Sequence, residues 1–201
     1  LVDRMLASQS QVDAWKLRTA PHLLSIDDEL GRLQQGMHEL MQAPIFIDDK
    51  PANTVMNMRS VLRRLNTDKP IGLIIVDYLQ LMGTTKSYDN MVNQVTDISR
   101  SLKALAKEFD APVIALSQLN RAVESRGGRP RLSDLRDSGS IEQDADVVML
   151  IHREDKYGEN NEKKNIVEIL IEKHRNGPTG IVELFFDDKK TSFLSVEKSE
   201  F

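Results

Sequence analysis

Cysteine is absent from the 201 residues of this chain, which excludes a disulfide framework and any metal site built on thiolates. Long apolar runs are also missing. The longest, such as Ile71–Val76, are far shorter than the ~20 residues that cross a bilayer as a helix, so we expect no membrane partner. A net charge of −4 excludes binding of nucleic acid through overall positive charge, so any such contact needs a local basic patch.

The spacing of apolar residues predicts a chain of alternating helices and strands. The expected helices cover residues 1–18, Ser25 to about Gln42 with Ser25 as N-cap, 53–66, and 91–109. A short strand is expected at residues 45–47. Continuous apolar runs, which are typical of strands buried on both faces, occur at residues 71–76, 113–116 and 147–151. Strand patterns at residues 166–173 and 181–186 flank Asn176-Gly177-Pro178 and predict a hairpin. We therefore expect an α/β fold with a mainly parallel central sheet and a C-terminal antiparallel hairpin.

Polar side chains follow two of the predicted buried strands. Asp77 comes directly after the first, and Ser117 and Gln118 follow the second. Ligands of open parallel sheets bind at the carboxyl ends of the strands. A carboxylate there can hold Mg²⁺, and a glutamine can hydrogen-bond a terminal phosphate. Each residue taken alone also fits an ordinary solvated strand end, so both interpretations stay open.

Two further segments concentrate positive charge. Residues 121–140 contain five arginines among glycines and serines, and we expect a long loop suited to contacting the phosphates of a single nucleic-acid strand. Lys173 and Arg175 lie beside the predicted hairpin turn, where two cations can reach phosphates held by a neighbouring subunit. The alternatives are a solvated loop for the first segment and a charged edge strand for the second.

Four segments together resemble the DnaB-type replicative DNA helicases. They are IIVDYLQLM, DISRSLKALAKEFDAPVIALSQLNR, SDLRDSGSIEQDADVVMLIHR and IEKHRNGPTG, and their order and spacing match over about residues 1–187. The resemblance implies a RecA-like three-layer core that assembles as a homo-hexamer around single-stranded DNA, with ATP and Mg²⁺ as cofactors. It also implies primase and a helicase loader as partners, and a cytoplasmic place at the bacterial nucleoid or replisome.

The same resemblance implies roles for eight residues. Asp77 corresponds to the Walker B carboxylate on magnesium, and Gln118 to the residue that links the γ-phosphate to the DNA loops. Lys173 and Arg175 correspond to fingers that act on a neighbour's nucleotide. Arg4 corresponds to the residue that packs on adenine. The DNA-contacting positions are Arg136, Asp137 and Gly139.

One departure from the family is the lack of a G-x-x-x-x-G-K-[ST] segment, the Walker A loop that binds phosphates. We therefore expect residues 1–201 to form a single, partial C-terminal helicase domain, without the Walker A segment and the N-terminal domain, that hydrolyses ATP poorly or not at all. Two alternatives remain. The chain is a non-catalytic DNA-binding or oligomerisation fragment, or it belongs to another RecA-like ring ATPase.

Overall fold

The computed structural model describes residues 1–25, 28–85, 87–88, 90–156 and 164–196, and within them it leaves aside the side chains of Glu124 and of residues 136–140. The described α-helices are α1 (Val2–Ser10), α2 (Ala14–Thr19), α3 (Glu29–Gln42), α4 (Val55–Asp68), α5 (Met91–Phe109), α6 (Ala122–Arg126) and α7 (Gly139–Asp144). Short 3-10 helices occupy Pro21–Leu23, Leu79–Leu81, Leu132–Ser138 and Glu154–Lys156. The described strands are β1 (Ile74–Val76), β2 (Val113–Ala115), β3 (Val147–His152), β4 (Ile166–His174), β5 (Gly180–Asp187) and β6 (Ser192–Ser195).

The chain divides into two compact units. The first comprises Leu1–Asp48, His152–Ile169 and Ile181–Phe201, and the second comprises Asp49–Ile151 and Leu170–Gly180. Strands β1 and β2 form a two-stranded sheet, and the other four form a sheet with the order β3-β4-β5-β6. Within the ranges that the structure describes, no helix has the length and apolarity needed to cross a bilayer.

Helices α1 and α3 of the first unit approach each other closely at a glycine. A Cβ atom added to Gly36 would lie 3.1 Å from the Cβ of Ser10, so only glycine allows this approach without a shift of the neighbour. Ala7 and Val12 are completely buried in the same unit. Because Gly36 has no side chain, the backbones of α1 and α3 can approach each other closely at Ser10.

Three predictions for residues 1–48 are wrong. The helix expected over residues 1–18 is two helices, because Gln11 adopts a left-handed conformation after α1 and the Asp13 side chain caps α2. Ser25 does not cap the next helix, which begins at Glu29. Instead, the Ser25 backbone N–H donates to the Glu29 carboxylate at 2.9 Å. Residues 45–47 form no strand in the described structure, and Phe46 remains 67% exposed, so burial does not stabilise an extended pairing there.

The second unit has a core between α4, α5 and the β1–β2 sheet. Both helices begin with a side-chain cap, since the Thr54 hydroxyl accepts from the Asn57 N–H and the Asn90 amide oxygen accepts from the Asn93 N–H. The buried members of this core are Val55, Ile74, Val76, Leu79, Met82, Ile98, Leu102 and Leu105. Helix α5 contributes three of them at spacings of four and three, as the sequence periodicity predicts.

The strands of this unit are not buried on both faces as predicted. Ile74 and Val76 of β1 are buried, whereas Ile75 between them is 62% exposed. In β3, Val148 and Leu150 are buried, and Met149 and Ile151 are exposed. Successive side chains of a strand point to opposite faces, so helices cover one face of these strands and leave the other apolar face open in the described structure.

Residues 121–140 are largely helical, so the prediction of a long loop is wrong. They contain α6, the 3-10 helix Leu132–Ser138 and the start of α7. Leu135 is buried against Val148 and Leu150 of β3, and Leu132 packs on the same cluster. The abundance of arginine, glycine and serine in the sequence concealed these leucines, whose burial stabilises the helical turns.

The predicted hairpin is confirmed as the neighbouring strands β4 and β5. Its sheet ends with β6, a strand that the sequence patterns did not reveal. Strand β6 pairs antiparallel with β5, from Leu184 opposite Ser195 to Asp187 opposite Ser192. The rings of Phe186 and Phe193 lie 4.9 Å apart between centroids, an aromatic cross-strand pair that favours this register.

We expect Leu105→Ala to destabilise the second unit by about 2–5 kcal/mol, because it removes a fully buried side chain and leaves a cavity. Urea unfolding followed by circular dichroism measures this change. Leu23→Ala, which truncates a half-exposed leucine, is the matched control and should cost less than about 1 kcal/mol. Equal losses for the two variants would contradict the assignment of Leu105 to the core.

Candidate functional site

The carboxyl ends of β1 and β2 lie side by side because the two strands pair in parallel. Ile74 is opposite Val113 and Val76 is opposite Ala115. The Leu116 N–H donates to the Val76 carbonyl at 2.9 Å, which extends the pairing by one residue. Asp77 therefore leaves the sheet at the same edge as Ser117 and Gln118. The side chains of Asp77 and Gln118 are exposed at this edge and accessible to a ligand.

Gln80 links the two strand ends through its side-chain amide. Its nitrogen donates to the Ser117 hydroxyl at 3.0 Å, and its oxygen accepts from the Gln118 backbone N–H at 3.3 Å. Gln80 lies in the short 3-10 helix that follows Asp77, which is joined to Tyr78 by a cis peptide bond. One amide thus fixes the backbone that carries Gln118 relative to the segment that carries Asp77.

Lys173 and Arg175 contact the C-terminal end of α7. The Lys173 ammonium donates to the Glu142 carbonyl, and the Arg175 guanidinium donates to the Gln143 carbonyl. The Arg175 backbone N–H also donates to the Asp146 carbonyl at 2.9 Å. The last carbonyls of a helix have no partner within the helix, so two cations at this position complete its hydrogen bonding.

The Asp146 carboxylate contacts one cation of α5 and one cation of the hairpin. Its side chain accepts a hydrogen bond from Lys103 of α5 and lies 3.6 Å from the Arg175 guanidinium. The bond to Lys103 and the positive charges of Lys103, Arg175 and Lys173 lower the pKa of Asp146 below its usual value, against the opposing effect of partial desolvation. The carboxylate is therefore ionised at neutral pH.

Arg126 is held within the basic segment by a largely buried carboxylate. Its guanidinium donates two hydrogen bonds to Asp134, at 2.9 and 2.7 Å, and the Arg131 backbone N–H donates to the same carboxylate at 2.7 Å. The bond to Arg126 lowers the pKa of Asp134, and the same pair raises the pKa of Arg126. Arg126 is thus a structural arginine, and the phosphate contacts expected of this segment need its other arginines.

The remaining predicted residues lie in two places. Arg136 and Asp137 belong to the 3-10 helix before α7, and Gly139 begins α7. The side chains of residues 136–140 are outside the described structure, so their predicted DNA contacts stay predictions. Arg4 is exposed on α1 in the first unit, where its carbonyl accepts from the Thr191 hydroxyl at 3.2 Å.

Asp77 has the donor chemistry for a magnesium ion. Mg²⁺ in nucleotide sites is held by one or two carboxylates together with waters and phosphates. Among the described residues no group of three or more histidine or acidic side chains forms a ligand cluster, so a cage made entirely of protein ligands is not found there. A single exposed carboxylate at a strand end fits the magnesium mode in which phosphate and water complete the coordination.

The geometry agrees with a family comparison that covers nearly the whole chain. The family described as DnaB-like helicase C terminal domain matches residues 1–195. The chain belongs to this family.

Curated relatives extend well beyond the matched region. The replicative DNA helicase DnaB of Geobacillus stearothermophilus is 46% identical over 200 residues, which cover 98% of this chain and 43% of that protein. The replicative DNA helicase DnaC of Bacillus subtilis (strain 168) is 45% identical, with the same coverage. DnaB of Haemophilus influenzae is 47% identical over 192 residues, or 94% of this chain and 41% of that protein. The chain thus spans less than half the length of these relatives.

Solved structures confirm the predicted α/β, RecA-like fold class. One of them, described as an ATPase domain, superposes with a TM-score of 0.92 at 39% identity, over 98% of this chain and 70% of that one. A DnaB-like replicative helicase, described together with its interactions with primase, gives a TM-score of 0.92 at 39% identity over 98% of this chain and 47% of that one.

Local sequence patterns do not reveal three residues of the site. Gln80 carries no charge and lies three residues after Asp77, so only its place in the IIVDYLQLM segment distinguished it. Lys103 fits the solvated face of an amphipathic helix, and Asp146 fits an ordinary turn before a strand. Their partners are distant in sequence, so no local pattern could have revealed the pairs.

We expect Gln80→Met to speed hydrogen exchange of the Gln118 backbone amide about fivefold, since a net hydrogen bond contributes about 1 kcal/mol. Amide-resolved exchange followed by NMR measures the change. Gln94→Met is the matched control, because the Gln94 amide donates to the Met82 carbonyl elsewhere in the same unit. An unchanged exchange rate at Gln118 would show that Gln80 does not hold this strand end.

The lowered pKa of Asp134 gives a pH dependence of stability. The ionised carboxylate stabilises the folded chain fully above the ordinary aspartate range, and this contribution is lost as pH falls through the lowered native pKa. Urea midpoints of the wild-type chain and Asp134→Asn should therefore differ most at about pH 6 and converge as pH falls below the ordinary aspartate range. Asp68→Asn, at the exposed C-terminal end of α4, is the control and should change the urea midpoint less. A gap for Asp134→Asn that stays constant with pH would argue against the ion pair.

Proposed function

We propose that this chain is the C-terminal ATPase part of a replicative DNA helicase, which couples ATP hydrolysis to movement along single-stranded DNA and to duplex unwinding. The observation that carries this proposal is the parallel pairing of β1 with β2, which brings Asp77 and Gln118, both exposed, to one edge of the sheet in a chain of this family. A magnesium carboxylate and a phosphate-sensing glutamine need this arrangement to act on one nucleotide.

In this proposal Asp77 holds Mg²⁺ and Gln118 contacts the terminal phosphate of ATP. Lys173 and Arg175 act on the nucleotide of a neighbouring subunit, and Arg4 packs on the adenine. A hexamer supplies the neighbour, and single-stranded DNA contacts Arg136, Asp137 and Gly139. Primase is a proposed partner because one structural relative is described with primase. A helicase loader and a place at the bacterial replisome in the cytoplasm complete the proposal.

A second candidate function is a DNA-binding or oligomerisation unit without catalysis. The observation that favours it is the lack of any G-x-x-x-x-G-K-[ST] segment in the 201 residues. The residues present offer a carboxylate for Mg²⁺, but no glycine-rich loop and lysine to hold the β- and γ-phosphates of ATP. The 201-residue chain and a longer protein that contains it are therefore expected to differ in activity.

The test compares the 201-residue chain with a form extended on its N-terminal side by a Walker A segment. We expect ATP hydrolysis only in the extended form, and ATP should raise its affinity for an oligo-dT strand in fluorescence-anisotropy titrations. Arg136→Ala should lower that affinity by about three- to tenfold and reduce the slope of log affinity against log salt by about 0.7.

Arg64→Ala, which removes an exposed arginine from α4, is the control and should leave the titrations unchanged. ATP hydrolysis by the extended form without any binding to single-stranded DNA would favour another RecA-like ring ATPase. DNA binding by both forms without any hydrolysis would favour the non-catalytic unit.

A further inference from the structure

The hairpin between β4 and β5 is joined to α7 by more than one kind of contact. The Lys173 ammonium and the Arg175 guanidinium donate to two successive carbonyls, those of Glu142 and Gln143. The Arg175 backbone N–H donates to the Asp146 carbonyl at 2.9 Å, just beyond the end of the helix. Helix α7 has only six residues, so these bonds satisfy a large share of the carbonyls at its C-terminal end.

Helix α5 fixes the same end of α7 from a second direction. The Ser99 hydroxyl donates to the Asp144 carboxylate at 2.9 Å, and Ser99 itself is buried. Lys103, one turn further along α5, donates to the Asp146 carboxylate, which also lies 3.6 Å from the Arg175 guanidinium. The end of α7 is thus a junction of three elements, and Asp146 joins a cation of α5 to a cation of the hairpin.

The other end of α7 continues into the segment proposed to bind DNA. Gly139 is the first residue of α7, and the 3-10 helix Leu132–Ser138 with Arg136 and Asp137 directly precedes it. A six-residue helix is only about 9 Å long, at a rise of about 1.5 Å per residue. Contacts at one end of so short and rigid an element therefore constrain the position of the other end.

We infer that Lys173 and Arg175 are positioning residues for the segment of residues 136–140, whose DNA-binding arrangement they maintain through the C-terminal carbonyls of α7. This inference rests on the proposed function for the identity of the ligand, single-stranded DNA. It adds a role within one subunit to two side chains that are proposed to act on a neighbour's phosphate. A phosphate bound by these cations would compete with the carbonyls of α7 and would thereby affect the DNA segment of the same subunit.

The experiment uses the 201-residue chain with four variants: Lys173→Met, Arg175→Met, the conservative Lys173→Arg, and Lys69→Met as a control at an exposed lysine of the same unit. The first readout is amide hydrogen exchange over residues 139–147. Both Met variants of the hairpin should exchange about fivefold faster there, because each loses one side-chain hydrogen bond to a carbonyl of the helix end. Lys173→Arg and Lys69→Met should exchange like the wild-type chain.

The second readout is binding to an oligo-dT strand across a salt series. Lys173→Met and Arg175→Met should bind about fivefold more weakly with an unchanged salt slope, because they disturb the position of the segment without removing a DNA contact. A side chain that contacts a DNA phosphate itself would instead lower the slope by about 0.7. Lys173→Arg should restore wild-type affinity, and Lys69→Met should not alter it.

Three results would overturn the inference: unchanged exchange over residues 139–147, faster exchange with unaltered DNA affinity, or a reduced salt slope. Failure of the unmodified 201-residue chain to bind oligo-dT even at low salt would overturn the positioning role in DNA binding, whereas the proposed function is tested separately with the form extended by a Walker A segment. The exchange data remain separate from that outcome, since they report the contact with α7 whether or not DNA binds.

Discussion

The parallel pairing of β1 with β2 is the constraint on which the rest of the site depends. It is stabilised by helix α5, whose Ile98, Leu102 and Leu105 share one buried core with Ile74 and Val76. Hydrogen bonds between the strands set the register, and the register brings Asp77 and Gln118 to one edge although 40 residues lie between them in sequence. Gln80 then adds a polar link at that edge, outside the apolar core.

Charged side chains cluster around the C-terminal end of α7 in the same unit. Cations of the hairpin contact the carbonyls at its C-terminal end, where the helix dipole favours positive charge, and an ionised carboxylate joins them to α5. A pair of cations proposed to act on phosphate is thereby connected to a segment proposed to contact DNA. Under the proposed function, this connection is a physical route between a neighbour's nucleotide and the DNA segment of this subunit.

Sequence patterns predicted the helices and strands whose signals come from residues close together in the chain, and missed those that depend on distant contacts. Helix α5 and the strands β1, β2 and β3 were predicted because their apolar residues recur at helical spacing or form continuous runs. The helical turns of residues 121–140 were missed because Leu132 and Leu135 are stabilised by a distant strand, and the composition around them is typical of loops. The strand expected at residues 45–47 was wrong because β-propensity without a pairing partner does not make a strand.

By itself the sequence determined the α/β class, the main helices and strands, and the residues at the strand ends. Apolar periodicity is a pattern among neighbouring residues, and the family motifs are contiguous segments. Tertiary structure alone decided which apolar face of each strand is covered, that Arg126 binds Asp134, and that Lys103 and Arg175 meet at Asp146. Those ion pairs join residues that lie eight or more positions apart in the chain. Only packing of the helices and strands fixes such distances, and no local pattern encodes them.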